Sequence, residues 1–143
     1  MLFKHALVPN AAHERHELAL ISCGDAGSTV VFTKSHDFVG PYEIGIVVAN
    51  RIPMPLPAKR PEPAFGIKAR YEGSDDCLRE VHGNQSPWWA DDKSGFTLFL
   101  YSAPENVPLK VPVQFELSVV QASQDFEATY GPSFVYCSKY SDK

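Results

Sequence analysis

Val107-Pro108-Leu109-Lys110-Val111-Pro112-Val113-Gln114-Phe115-Glu116-Leu117-Ser118-Val119 decides the fold class of this chain. Its apolar residues fall on odd numbers and its polar residues and prolines on even ones. In an extended chain that spacing puts every apolar side chain on one face. A helix would scatter them around its circumference. The stretch therefore predicts a β-strand with one dry face and one wet face. Pro108 and Pro112 would deny a neighbour its ladder donors, so the first half of that strand is expected at a sheet edge.

The same test carries along the chain. Leu18 and Leu20 suggest a short first strand, ended by Gly24-Asp25-Ala26-Gly27, and Thr29-Val30-Val31-Phe32-Thr33 is β-branched enough for a second. Tyr42, Ile44, Ile46 and Val48 alternate through a third, nearly apolar on both faces and so expected in the middle of a sheet. Phe65, Ile67, Ala69 and Tyr71 mark a fourth, Cys77–His82 a fifth, Phe96–Tyr101 a sixth, the long alternating run a seventh and Phe134–Lys139 an eighth. Between the third and fourth lie Pro53, Pro55, Pro57, Pro61 and Pro63, five prolines in eleven residues. They forbid helix and predict a stiff extended crossover between sheets. Gln124–Tyr130 before Gly131-Pro132 predicts one helical turn, and Ser86-Pro87 a second that would carry Trp88 and Trp89. Seven or eight short strands with turns every ten to fifteen residues predict an all-β, two-sheet antiparallel β-sandwich. Its architecture would be immunoglobulin-like, without the Cys…Trp…Cys spacing of true immunoglobulin domains. Residues 1–16 read as a flexible lead-in, and residues 17–143 as one sandwich domain.

Composition narrows the function classes. The 143 residues suffice for one domain that buries roughly two-thirds of its extended surface. Hydrophobic content of 44% and charged content of 21% are those of a soluble globular chain. A net charge of −4 disfavours duplex nucleic acid, which demands clustered Lys and Arg, and suits a basic protein partner. The opening apolar run is shorter than the roughly 7–15 residues of a signal-peptide core. No stretch reaches the roughly 18 apolar residues of a membrane span. A cytoplasmic location is expected, or a periplasmic one if a leader was removed. Cys23, Cys77 and Cys137 are too few for a disulfide scaffold, and reduced thiols are the simpler reading.

No catalytic or cofactor motif emerges. His13 and His16 are three residues apart, but neither CxxC nor HExxH accompanies them, and Asp75-Asp76 and Asp91-Asp92 lack the calcium-loop pattern. There is no G-x-S-x-G elbow and no phosphate-cradling glycine loop. A pairing of cysteine with His36 or His82 stays open beside the plainer expectation of buried structural cysteines. A non-enzymatic domain without metal or cofactor is expected.

Binding features are stronger. Trp88 and Trp89 are the only tryptophans, adjacent and set among Asn84, Gln85, Asp91 and Asp92. Neighbours in an extended chain point opposite ways, so one ring is free to enter the core while the other faces out. An outward ring would serve as a protein hot spot or a sugar-stacking platform; alternatively both rings plug an open end of the sandwich. The proline segment would present Met54 and Leu56 as an ordered apolar ridge beside Lys59 and Arg60. The candidate contact residues are therefore Trp88, Trp89, Asp91, Asp92, Met54 and Leu56.

Val30-Val31-Phe32, Tyr42-Glu43-Ile44-Gly45-Ile46, Val111-Pro112-Val113-Gln114-Phe115-Glu116-Leu117 and Lys139-Tyr140-Ser141-Asp142-Lys143 give an order of elements that resembles a family of small bacterial β-sandwich domains of unassigned function. The resemblance spans most of the chain as hydrophobic alternation and transfers no functional residue. Members of that family are often exported and lipid-anchored, whereas the opening residues here lead one to expect no such leader. The expected function is protein binding, such as that of a bacterial immunity-type protein capping a basic toxin. The alternative is a carbohydrate-binding module that stacks sugar on Trp88 or Trp89.

Overall fold

A computed structural model describes residues 17–54, 62–72, 77–82 and 86–140. Among them are nine strands and one helix: β1 (Glu17–Ile21), β2 (Thr29–Lys34), β3 (Gly40–Val48), β4 (Ala64–Arg70), β5 (Cys77–His82), β6 (Ser86–Trp89), β7 (Ser94–Ala103), β8 (Val113–Gln121), α1 (Gln124–Tyr130) and β9 (Ser133–Lys139). They build the antiparallel two-sheet sandwich that the alternation predicts. One sheet runs β1-β9-β3-β7-β6 and the other β2-β8-β4-β5.

The apolar third strand is central, as its two-sided hydrophobicity requires. β3 pairs with β9 on one side and with β7 on the other. Ile44, Ile46 and Val48 face the second sheet and meet Phe65, Phe115, Leu117 and Val119 in the core. The chain changes sheet at most connections; only the β4–β5 and β6–β7 links join neighbours in one sheet. β3 and β4 lie in different sheets. Residues 55–61, with Leu56, Lys59 and Arg60, lie outside the described residues, as does the lead-in 1–16.

Three sequence expectations need correction. The long alternating run enters the ladder only at Val113. Residues 104–112 form turns and bends, with Lys110 at φ 61°, so the period-two pattern of 107–112 continues the burial rhythm without strand pairing. Val107 is nonetheless buried, because it plugs the end of the core from the turn. Nor is that strand an edge: β8 pairs with β2 and β4, and both prolines that argued for an edge precede its first residue. Finally, Ser86-Pro87 opens no helical turn. Ser86–Trp89 is a strand paired with Ser94–Thr97, because a hairpin across the four-residue turn satisfies more backbone groups than an isolated turn of helix would.

The helical turn at Gln124–Tyr130 is present. Ser123 caps it by accepting from the Phe126 N–H at 3.1 Å, and Gly131 ends it at φ 78°, a left-handed value that suits glycine. Its buried residues, Phe126 and Tyr130, close one end of the sandwich against Phe96.

Candidate functional site

The β6–β7 hairpin brings most of the predicted contact residues to one place. Its turn, Ala90–Lys93, is closed by the Ala90 N–H donating to the Lys93 carbonyl at 2.8 Å, and it holds Asp91 and Asp92 exposed at the tip. The segment after β3 is tied to this hairpin at three points. Ile52 N–H donates to Ser94 Oγ at 2.9 Å, Trp89 Nε1–H donates to the Ile52 carbonyl at 3.0 Å, and Arg51 Nη1 donates to the Lys93 carbonyl at 3.4 Å. Met54, 68% exposed, follows directly. Leu56 lies outside the described residues.

The two tryptophans take opposite faces of β6, as strand geometry demands. Trp89 packs against the core. Trp88 lies on the outer face of the five-stranded sheet, across Gly95, with its Nε1–H donating to Tyr136 Oη at 2.9 Å and its ring edge-on to that tyrosine. This arrangement needs glycine. A Cβ at Gly95 would stand 2.6 Å from Trp88 Cζ2, and one at Gly45 would strike the Tyr136 hydroxyl. Both rings are half-buried, so neither is a bare platform. Close by on the same face Glu43, only 1% exposed, accepts from the Thr97 hydroxyl at 2.8 Å.

A second polar group, which sequence reasoning did not assemble, runs through the core at the opposite end of β3. His36 is fully buried among the rings of Tyr42, Tyr101 and Phe115, and its Nε2 lies 2.7 Å from Tyr101 Oη, which is 3.2 Å from Cys137 Sγ. His36 Nδ1 is buried and meets no hydrogen-bond partner among the described residues. An orphaned N–H costs more than an orphaned lone pair, so the proton belongs on Nε2. Nε2–H then donates to Tyr101, and Tyr101 O–H donates to Cys137. Burial, reinforced by Lys34, lowers the His36 pKa to about 4, so the ring is neutral at physiological pH. Burial raises the Tyr101 hydroxyl well above its ordinary value and the Cys137 thiol to about 11. Cys23, in contact with Ser133 Oγ at 3.7 Å, is pushed by burial to about 12. Burial thus keeps both thiols protonated at neutral pH. Only the three-dimensional pairing of β3 with β7 and β9 unites residues 36, 101 and 137, which are far apart in the chain.

Among the described residues no set of three His, Cys, Asp or Glu side chains is placed to hold a metal ion. No helix there is long and apolar enough to cross a membrane. A scan against protein-family models, a search of curated proteins and a search of solved structures each give no match to this chain.

Proposed function

We propose that this chain is a non-catalytic protein-recognition domain whose contact surface is the hairpin end of the sandwich: Asp91 and Asp92 at the tip, with Trp89 and Met54 beneath. One observation carries this reading. An exposed acidic pair sits on a short turn whose footing, the Trp89–Ile52 and Ser94–Ile52 hydrogen bonds, is fixed before any partner arrives. A preordered tip loses little entropy on binding, and its carboxylates, with the −4 net charge, steer a basic partner. A bacterial immunity-type role, capping a basic secreted toxin, is the concrete form of that proposal. The test is capture from the source lysate on immobilised protein, comparing wild type with the Asp91→Lys, Asp92→Lys double variant. A salt-sensitive partner lost on charge reversal supports the reading. An identical catch from both baits sinks it.

Carbohydrate binding remains the second reading, and its support is Trp88 lying across Gly95 on the outer sheet face. Its indole N–H is already bonded within the fold, which leaves only ring stacking for a sugar. Saturable quenching of tryptophan fluorescence by oligosaccharides, abolished by Trp88→Ala, would favour it over the protein partner.

A further inference from the structure

The five-stranded sheet is not closed along β7, and this surface is separate from the hairpin tip. β6 pairs only with Ser94–Thr97, so the six residues Leu98–Ala103 run on beyond it. The direction of their free groups follows from Ser102. Its N–H donates to Asn106 Oδ1 at 2.8 Å and its carbonyl accepts from the Asn106 N–H at 2.8 Å, both on the side away from β3. Antiparallel strands alternate, so Leu100, two residues back, also directs its N–H and carbonyl away from β3. Among the described residues nothing meets them. The Leu100 side chain, 52% exposed, lies on the outer face.

Behind this edge a notch of about 80 Å³ opens between the two sheets, lined chiefly by Phe99, Tyr101, Ile67, Ala69, Val107 and Phe115. We propose that β7 and this notch together accept an extended peptide segment from another protein, added as a strand. The segment's residue opposite Leu100 exchanges two main-chain hydrogen bonds with it. The residues on either side of that one then point inward, as Phe99 and Tyr101 do, and one of them fills the notch with a valine- or leucine-sized apolar side chain. A second copy paired edge to edge through its own β7 does not fit the role. Its own β7 would present Phe99 and Tyr101, which are committed to its own core and leave no side chain for the notch.

The probe is a panel of capped heptapeptides, Lys-Thr-Val-Thr-Val-Thr-Lys and versions with Ala, Leu or Phe in place of both valines, titrated into the whole protein and followed by NMR and hydrogen exchange. Expected is saturable binding, strongest for Val or Leu, with the Leu100 amide changing from fast exchange to protection. N-methylation of the central peptide nitrogens, or Leu100→Pro, should weaken binding about tenfold, as loss of a well-made hydrogen bond does. Ala69→Leu, which fills the notch, should weaken it similarly. Because Leu100→Pro disturbs the fold if the edge is intolerant, the N-methylated peptide tests the same contact with the protein unchanged. No saturable binding by any peptide, indifference to N-methylation, or a protein dimer that protects Leu100 would each overturn the proposal.

Discussion

Acid should loosen this protein through one residue. His36 is 0% exposed, its pKa is held at about 4, and its ordinary value is 6.5. Above pH 6.5 the ring is neutral in both folded and unfolded chains and contributes no pH dependence. Below 6.5 the unfolded chain takes up a proton that the folded protein refuses, so stability falls as pH drops towards the folded pKa and levels off beneath it. A proton-affinity gap of this size corresponds to a loss of about 2 kcal/mol by pH 5 and about 3 kcal/mol by pH 4. That is a large part of the roughly 5–15 kcal/mol that keeps a domain folded. The measurement is urea denaturation monitored by tryptophan fluorescence between pH 7.5 and pH 4, on wild type and on His36→Gln. Gln keeps a donor for Tyr101 but has no proton to gain. Carboxylates and the other histidines contribute equally to both proteins and cancel. At neutral pH the variant should be the less stable, because glutamine forfeits the ring's packing against three aromatics. That deficit should shrink by about 2 kcal/mol by pH 5. A difference in stability that stays constant to within about 0.5 kcal/mol over the range would show that the interior tolerates an imidazolium and would refute the reasoning.

Other substitutions probe the frame. Gly95→Ala drives a methyl into Trp88 and the β3 backbone, and should cost about 1–3 kcal/mol with a red-shifted tryptophan emission; unchanged melting and emission would contradict the close packing described. Lys110→Gly should raise stability by up to about 1 kcal/mol, because Lys110 occupies a left-handed conformation at φ 61°, and a chemical melt would register the gain. Ser123→Ala removes the cap on α1 and should cost about 1 kcal/mol by the same melt. In the native protein at pH 8, Cys23 and Cys137 should resist a thiol-disulfide reagent until denaturant is added, since both thiols are held protonated.

Period-two burial was readable because it is a local property, and it located most of the strands. It could not say where pairing starts. Val107, Leu109 and Val111 keep the rhythm of Val113, Phe115 and Leu117, yet the chain turns at Lys110 and only the second half joins the ladder. The same blindness puts the first half of the run at a sheet edge, on the strength of two prolines that precede the paired strand. Trp88 and Trp89 looked like loop residues because Ser86-Pro87 imitates a helix start, and the partner that makes them a strand, Ser94–Thr97, announces itself only weakly. Of the proposed contact surface, the clustering of the acidic pair with the two tryptophans follows from adjacency in sequence. The hydrogen bonds that join Ile52 to Trp89 and Ser94 were not. The His36–Tyr101–Cys137 line was invisible for the same reason, as no spacing rule links residues contributed by three separate parts of the chain.

The position of β9 has a consequence for biosynthesis. It lies between β1 and β3, so two early strands acquire their common neighbour from the last strand of the fold. Ser133–Lys139 must therefore have left the ribosome before that layer can knit together. Until then the growing chain carries the flanks of β1 and β3 without their partner, ready templates for mispairing. Long-range closure of this kind folds slowly, and a truncation inside Ser133–Lys139 would remove a central plank rather than a trailing end.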